Sequence, residues 1–172
     1  MFTSLRLGVF LTLSLLGGGI HSYSGEIDKK SDATFVLKAS GSDLAEIEFA
    51  KLAMKQASNA RVREFAAKMV KDHTQSSEEL APIAEKHGFA LAKDVDSKHK
   101  DVCEKLKKLS GAEFDREYMT NQVKAHQTAV KLFTQQSKSG QNADLRAFAS
   151  KVLPTIQEHL KMAKELDQSG LK

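Results

Sequence analysis

The sequence predicts an all-α protein built from two helical hairpins joined by a long crossover. Three observations predict it. Lys, Ala and Leu are the commonest of 172 residues that hold two Pro and no Trp, a composition that favours helix. Apolar side chains recur every three or four positions along four long stretches. One phrase occurs twice, as NARVREFAAKMVKDH from Asn59 and NADLRAFASKVLPTIQEH from Asn142. Six of the first twelve positions are identical, and each copy runs on to an acid followed by a histidine, Asp72-His73 and Glu158-His159.

The first long helix is expected from Asp32, after a polar lead-in over 25–31. Phe35, Ala39, Ser42, Glu46, Phe49, Ala53 and Ala57 share its inner stripe. Gly41 inside it marks a bend or a close contact. Ser58-Asn59 ends this helix and caps the next. The second helix spans about 60–87 on Val62, Phe65, Ala66, Met69, His73, Ser76, Leu80 and Ile83. Pro82 should kink its last turn or split it off, and Gly88 is the natural stop.

Residues 88–111 form the long connection, with SKHKDVCEKLKKLSG as a short helix inside it. The third long helix spans about 112–138, with Tyr118, Gln122, His126, Ala129 and Phe133 on one stripe. KSGQN is the turn and Asn142 the cap. The fourth helix, about 143–167, carries Leu145, Phe148, Ala149, Val152, Ile156, His159, Ala163 and Leu166, and Pro154 should kink it. Two hairpins with short turns and one long crossover make the ferritin-like version of a four-helix bundle, placed here at 32–168. Duplication of a hairpin explains the repeated phrase, because equivalent helices in two halves meet the same packing problem.

The N-terminus reads separately. Arg6 precedes an apolar stretch from Leu7 to Ile20, then Ser22-Tyr23-Ser24 offers small residues at the −3 and −1 places. This is the pattern of an export signal over 1–24, cut after Ser24. The expected location is the periplasm; an uncleaved signal would instead anchor the chain in the inner membrane. Without Arg6 the chain keeps 25 basic and 22 acidic side chains, a net +3. No run of five like charges occurs, so nucleic acid is not an expected partner. The lysine-rich faces read as solvated surface, and the membrane is met only through the export signal. Cys103 is the single cysteine, so no intrachain disulfide can form and the core must supply the stability.

Glu46, His73, His126 and His159 fall one per long helix on the inner stripes. Glu46 and His73 lie twelve and fourteen residues from the first turn, about 18 and 21 Å at the helical rise. His126 and His159 lie about 21 and 26 Å from the second turn by the same rise. All four can therefore meet near one level. Burial of such groups is costly unless they are paired or ligated, and imidazole and carboxylate are proper ligands for Zn, Fe, Mn or Cu. A di-iron oxidase centre is not expected, because Val70 and Ile156 stand where its acids would be. The preferred reading is a buried polar cluster supported by Asp72, Asp115, Tyr118, Gln122 and Glu158. The rival is a metal site on Glu46, His73, His126 and His159. Asp72 and Glu158 point about 100° from their neighbouring histidines, towards solvent or another helix. His87 and His99 read as surface residues without a special role, and Cys103 as a small core residue.

FVLKASGSDLAEIEFAKLA, FAAKMVKDHTQSSEEL, LSGAEFDREY, VKAHQTAVKLF and LPTIQEHLKMA occur together in order. In this the chain resembles the bacterial envelope family known as domain of unknown function 4142, over roughly 33–166. The resemblance implies an exported ferritin-like bundle and no assigned reaction. It carries over recurrent polar positions at Glu46, Asp72, His73, Asp115, Tyr118, His126 and His159, while Pro82 departs from the family pattern. No Ser-His-Asp motif, phosphate loop, Cys-x-x-Cys or His-Glu-x-x-His is present. The expected role is therefore a non-catalytic envelope or stress-associated factor; the alternative is a metal-binding protein of the same fold.

Overall fold

The computed structural model describes residues 21–168, with side chains from 31 onward. Among these the chain forms five helices and no strand: α1 (His21–Gln56), α2 (Ala60–His87), α3 (Ser97–Lys107), α4 (Gly111–Ser139) and α5 (Ala143–Gln168). The long helices pack in a ring in which α1 lies along α2 and α4, and α5 lies along α4 and α2. The short α3 closes the crossover against α1 and α4, burying Cys103 and Leu106. No described helix is long and apolar enough to cross a membrane. The export signal read over 1–24 lies almost wholly outside the described residues.

Two expectations change. The segment 25–31 is not a separate lead-in, because α1 already runs from His21; apart from Gly25 nothing there opposes helix. Pro82 and Pro154 lie inside continuous helices, so Pro82 does not split off the last turn of α2. Both sit on the exposed side, where a carbonyl that loses its amide partner can turn to water. Gly41 lies beside the crossover, where an added Cβ would meet Ala92 at an ordinary 3.5 Å. Ser40 Oγ accepts from the Ala92 amide at 2.9 Å and pins the crossover there. Gly88 ends α2 at φ 69°, a left-handed conformation that suits glycine.

The repeated phrase builds the same device at both hairpin turns. Asn59 Oδ1 accepts from the Arg61 amide at 2.9 Å, and Asn142 Oδ1 from the Leu145 amide at 3.0 Å. Arg63 donates to the Ala57 and Ser58 carbonyls; Arg146 donates to those of Gly140 and Gln141. A buried aspartate then holds each turn from the facing helix. Asp115 accepts from the Ser58 amide, the Ser58 hydroxyl and the Asn59 amide; Asp32 accepts from the Gln141 and Asn142 amides and from Gln136 Nε2. Asp115 follows Asp32 by the 83 positions that separate Asn142 from Asn59. The internal repeat therefore extends to the helices that receive the turns.

The core divides into two apolar clusters. One holds Phe49, Phe65, Met69, Phe114, Tyr118, Met119 and Leu166. The other holds Phe35, Leu80, Phe133, Leu145, Phe148 and Ile156. Along every long helix a stretch without buried apolar side chains separates them, and the buried histidines lie at that level.

Candidate metal centre

Asp43 and Glu46 come from α1, His73 from α2, Gln122 and His126 from α4, and His159 from α5. All six are buried. Each sits at a helical position that continues an apolar stripe inward, so the periodicity that builds the core also aims these groups at one another. The imidazole centroids of His73, His126 and His159 form a triangle with sides of 5.8, 5.6 and 5.3 Å.

Each ring is oriented by one hydrogen bond. His73 Nδ1 donates to Asp43 Oδ1 at 2.7 Å, His126 Nδ1 to the Gln122 carbonyl at 2.9 Å, and His159 Nε2 to Asp72 Oδ2 at 2.8 Å. All three partners are acceptors only, which fixes the proton on the bonded nitrogen. His73 Nε2, His126 Nε2 and His159 Nδ1 are then left with lone pairs. These three atoms are buried and have no hydrogen-bond partner among the described residues. One donor atom from each ring lies within 4.8 Å of the other two. An ion bound tetrahedrally at about 2.0–2.1 Å sets its nitrogens about 3.4 Å apart. Small side-chain rotations therefore suffice to close the set. A nitrogen turned inward, with the opposite N–H held by a carboxylate or carbonyl, is the arrangement metal-binding histidines use.

Three carboxylates surround the centre. Asp43 and Glu46 are 4% and 2% exposed, and the Asp72 side chain is 15% exposed. Glu46 Oε2 accepts from Gln122 Nε2 at 2.6 Å, and Glu46 lines the cavity shared with the three histidines. That cavity measures about 30 Å³, room for one or two waters or for an ion and one water.

Burial works against protonation of all three rings, and in two of them it prevails. Burial pulls the His159 imidazole down to about 3, although the Asp72 hydrogen bond opposes this. Burial also lowers His126, against the pull of Glu46. Burial acts on His73 too, but the Asp43 hydrogen bond and the charges of Asp43, Glu46 and Asp72 outweigh it, so His73 is raised. Burial opposes ionisation of Asp72, yet its bonds to His159 and Lys68 hold the carboxyl below the usual range.

These shifts set a pH dependence for the metal-free protein. His159 and His126 are harder to protonate folded than unfolded, so stability falls as pH drops below about 6.5. For His159 this loss continues to about pH 3. Asp72 adds a loss as pH falls through its lowered value. His73 acts oppositely: its contribution is present below about 6.5 and fades as pH rises through its raised value. His159 alone should cost roughly 3 kcal/mol by about pH 4.5, partly offset by His73. Urea midpoints at pH 7.5 and 4.5 in chelator-treated buffer check this. Equal midpoints would mean that the buried rings are not held neutral.

The sequence-derived residues divide. His73, His126 and His159 converge, with one ligand atom of each within 4.8 Å of the other two. Glu46 reaches the same cavity, and Gln122 holds both Glu46 and His126. Asp72 turns from its chain neighbour His73 to His159 on α5. Tyr118 lies one turn from Gln122; its ring packs on Phe65 and Phe114, its hydroxyl has no described partner, and burial with the nearby Glu46 charge raises its pKa well above the ordinary value. Two supporting residues are not part of the centre. Asp115 is a turn cap. Glu158 is exposed and only 3.8 Å from Lys68, because the helical step from His159 carries it outward. Asp43 was missed; it stands three residues before Glu46 on the same helix face, and that spacing was the available signal. His87 does have a role, joining α2 to α5 through Asp144 at 2.8 Å. His99 bonds to Asp96 at the start of α3. Cys103 is buried, and its thiol is pushed up by burial, as befits an inert core residue.

The fold has solved relatives. The DUF305 fragment from Deinococcus radiodurans superposes with a TM-score of 0.71 at 12% identity, over 81% of this chain and 96% of that one. CopM in the Cu(II)-bound form gives 0.68 at 15%, and CopM in the apo form 0.67 at 16%, each over 80% of this chain and 96% of the other. Among curated proteins none matches. Residues 23–166 match the sequence profile described as Domain of unknown function (DUF4142), and the chain belongs to that family.

Proposed function

We propose that this protein binds one transition-metal ion on His73 Nε2, His126 Nε2 and His159 Nδ1, inside a ferritin-like four-helix bundle exported to the periplasm. The observation that carries the reading is the set of three inward, buried, unpartnered ring nitrogens, each opposite a hydrogen-bonded N–H. In a plain polar cluster neighbouring protein groups would pair those nitrogens; here no described protein group does. Asp43, Glu46 and Asp72 supply the negative field a cation needs. Glu46 lines the same cavity but stands outside the three-nitrogen set, and its Oε2 is engaged by Gln122.

An all-imidazole set suits copper or zinc, and divalent affinity peaks at Cu(II). CopM structures with Cu(II), Cu(I) and Ag share this fold, which supports copper as the first metal to try. The role is binding and handling of the ion in the cell envelope, outside catalysis.

Untagged protein should carry or take up one equivalent of Cu(II) or Zn(II) by elemental analysis and titration. At free metal about 100-fold above Kd, binding should add about 2.7 kcal/mol of stability, a rise of roughly 5–10 °C in melting temperature. No bound equivalent and no thermal shift with either ion would reject the reading.

A further inference from the structure

Resting on that three-histidine reading, the geometry points to the seam between α2 and α5 as the route by which the ion reaches and leaves the centre. An open pocket of about 160 Å³ lies on this seam. Asp72, Ser76, Val152 and Thr155 line both this pocket and the inner cavity, so one layer of side chains separates solvent from the histidines. Asp72 faces both ways. Its Oδ2 accepts from His159 within and lies 3.1 Å from Lys68 Nζ without. At 15% exposure its side chain is also more open than that of Asp43, at 6%.

Charged pairs line this side, Asp72 with Lys68 and Glu79 with Lys151. Glu79 lines the mouth and is paired with Lys151 across the seam at 2.9 Å, and Glu158 stands on the far side of Lys68. Carboxylates at a narrow mouth concentrate cations there. On the opposite side of the cavity the two acids of α1, Asp43 and Glu46, are buried and engaged by His73 and Gln122, and the other lining groups there, such as Ser42 and Ala125, carry no charge. A cation arriving between α2 and α5 meets Asp72 first, and the lysines that occupy these carboxylates restrain its passage.

The test is stopped-flow uptake of Zn(II) or Cu(II) by the full chain, with release driven by excess chelator. Gln75→Trp and Lys151→Trp each place bulk in the outer pocket from a different helix, away from the histidines. Both should slow uptake and release by one common factor, about tenfold, and leave Kd unchanged. Lys68→Gln removes the cation beside Asp72 and should speed uptake several-fold at low salt, an effect that fades as salt rises. An exposed control on α4, Gln127→Trp, should behave as wild type. Wild-type rates in both plugging variants would overturn the proposal and direct attention to the α1–α4 side. Slower uptake with unchanged release would mean a weakened centre and would count against a route. If the wild-type chain binds neither ion, it is the three-histidine reading that has failed.

Discussion

His126→Ala should lower affinity for Cu(II) or Zn(II) by about 100-fold while leaving the metal-free fold close to wild type. A four-ligand structural zinc site contributes about 10–16 kcal/mol of apparent binding energy, so one imidazole is worth roughly 3 kcal/mol. His126 is the cleanest of the three to remove. Its Nδ1 donates only to the Gln122 carbonyl, a helix carbonyl one turn back, so its loss strands no charge. His73 and His159 differ, because each holds a carboxylate, Asp43 and Asp72. Removing either mixes a lost ligand with a newly unpaired acid, at about 1–3 kcal/mol for the stranded group. Asp43→Asn tests the surrounding shell separately. It keeps an acceptor for His73 but deletes the charge, and should weaken binding by about 10–100-fold. Competition against a chelator of known affinity measures both variants. If His126→Ala keeps wild-type affinity and stoichiometry, the ion is not held by this triangle.

The level of the centre was legible because it depends on counting. Each histidine lies on an apolar stripe at a similar distance from a turn, and helical rise converts that count into height. The caps were legible because Asn59, Asn142 and Gly88 act on their own neighbours. The partners of each ring were harder to read. Asp72 adjoins His73 in the chain, yet it serves His159, because a helical step of about 100° sends adjacent side chains to different neighbours. Asp43 was hidden for a related reason. Single-stripe reading chose Ser42 and Glu46, whereas the inner face of α1 is wide enough to bury Asp43 as well. A stripe says which residues are inside; it does not say which of them turn to the same partner. That Asp32 and Asp115 anchor the two turns was not legible, because their bonds join residues more than fifty positions apart. The choice between a polar cluster and a metal centre depends on the partners of each ring, which the sequence does not carry. It turns on which nitrogen of each ring faces inward.

Those aspartates carry the largest expected effect on the fold itself. Asp115→Ala should destabilise the protein by about 3 kcal/mol, since hydrogen bonds to charged groups contribute about 1.5–3 kcal/mol each and part of the loss is recovered by water. Three donors lose their acceptor at once: the Ser58 amide at 3.1 Å, its hydroxyl at 2.6 Å and the Asn59 amide at 2.9 Å. Asp115→Asn should recover little, because its amide nitrogen brings donors against donors. Asp32→Ala should cost a similar amount at the other turn, where the Gln141 and Asn142 amides and Gln136 Nε2 are released. The two sites lie at opposite ends of the helices. Asp32 and the α1–α2 turn at Ser58 are 26 residues apart along α1, about 39 Å by helical rise. Sites so far apart, with no shared partner, add in their effects. The double variant should therefore lose close to 6 kcal/mol, enough to unfold a domain of ordinary stability. Metal affinity should change little in either single variant, because the triangle sits midway between the turns. Urea denaturation of both singles and the double, with chelator competition on the folded singles, separates the two outcomes. If removing Asp115 costs nothing, the turn is held by Arg63 and Asn59 alone, and the matched aspartates are not what closes the two hairpins.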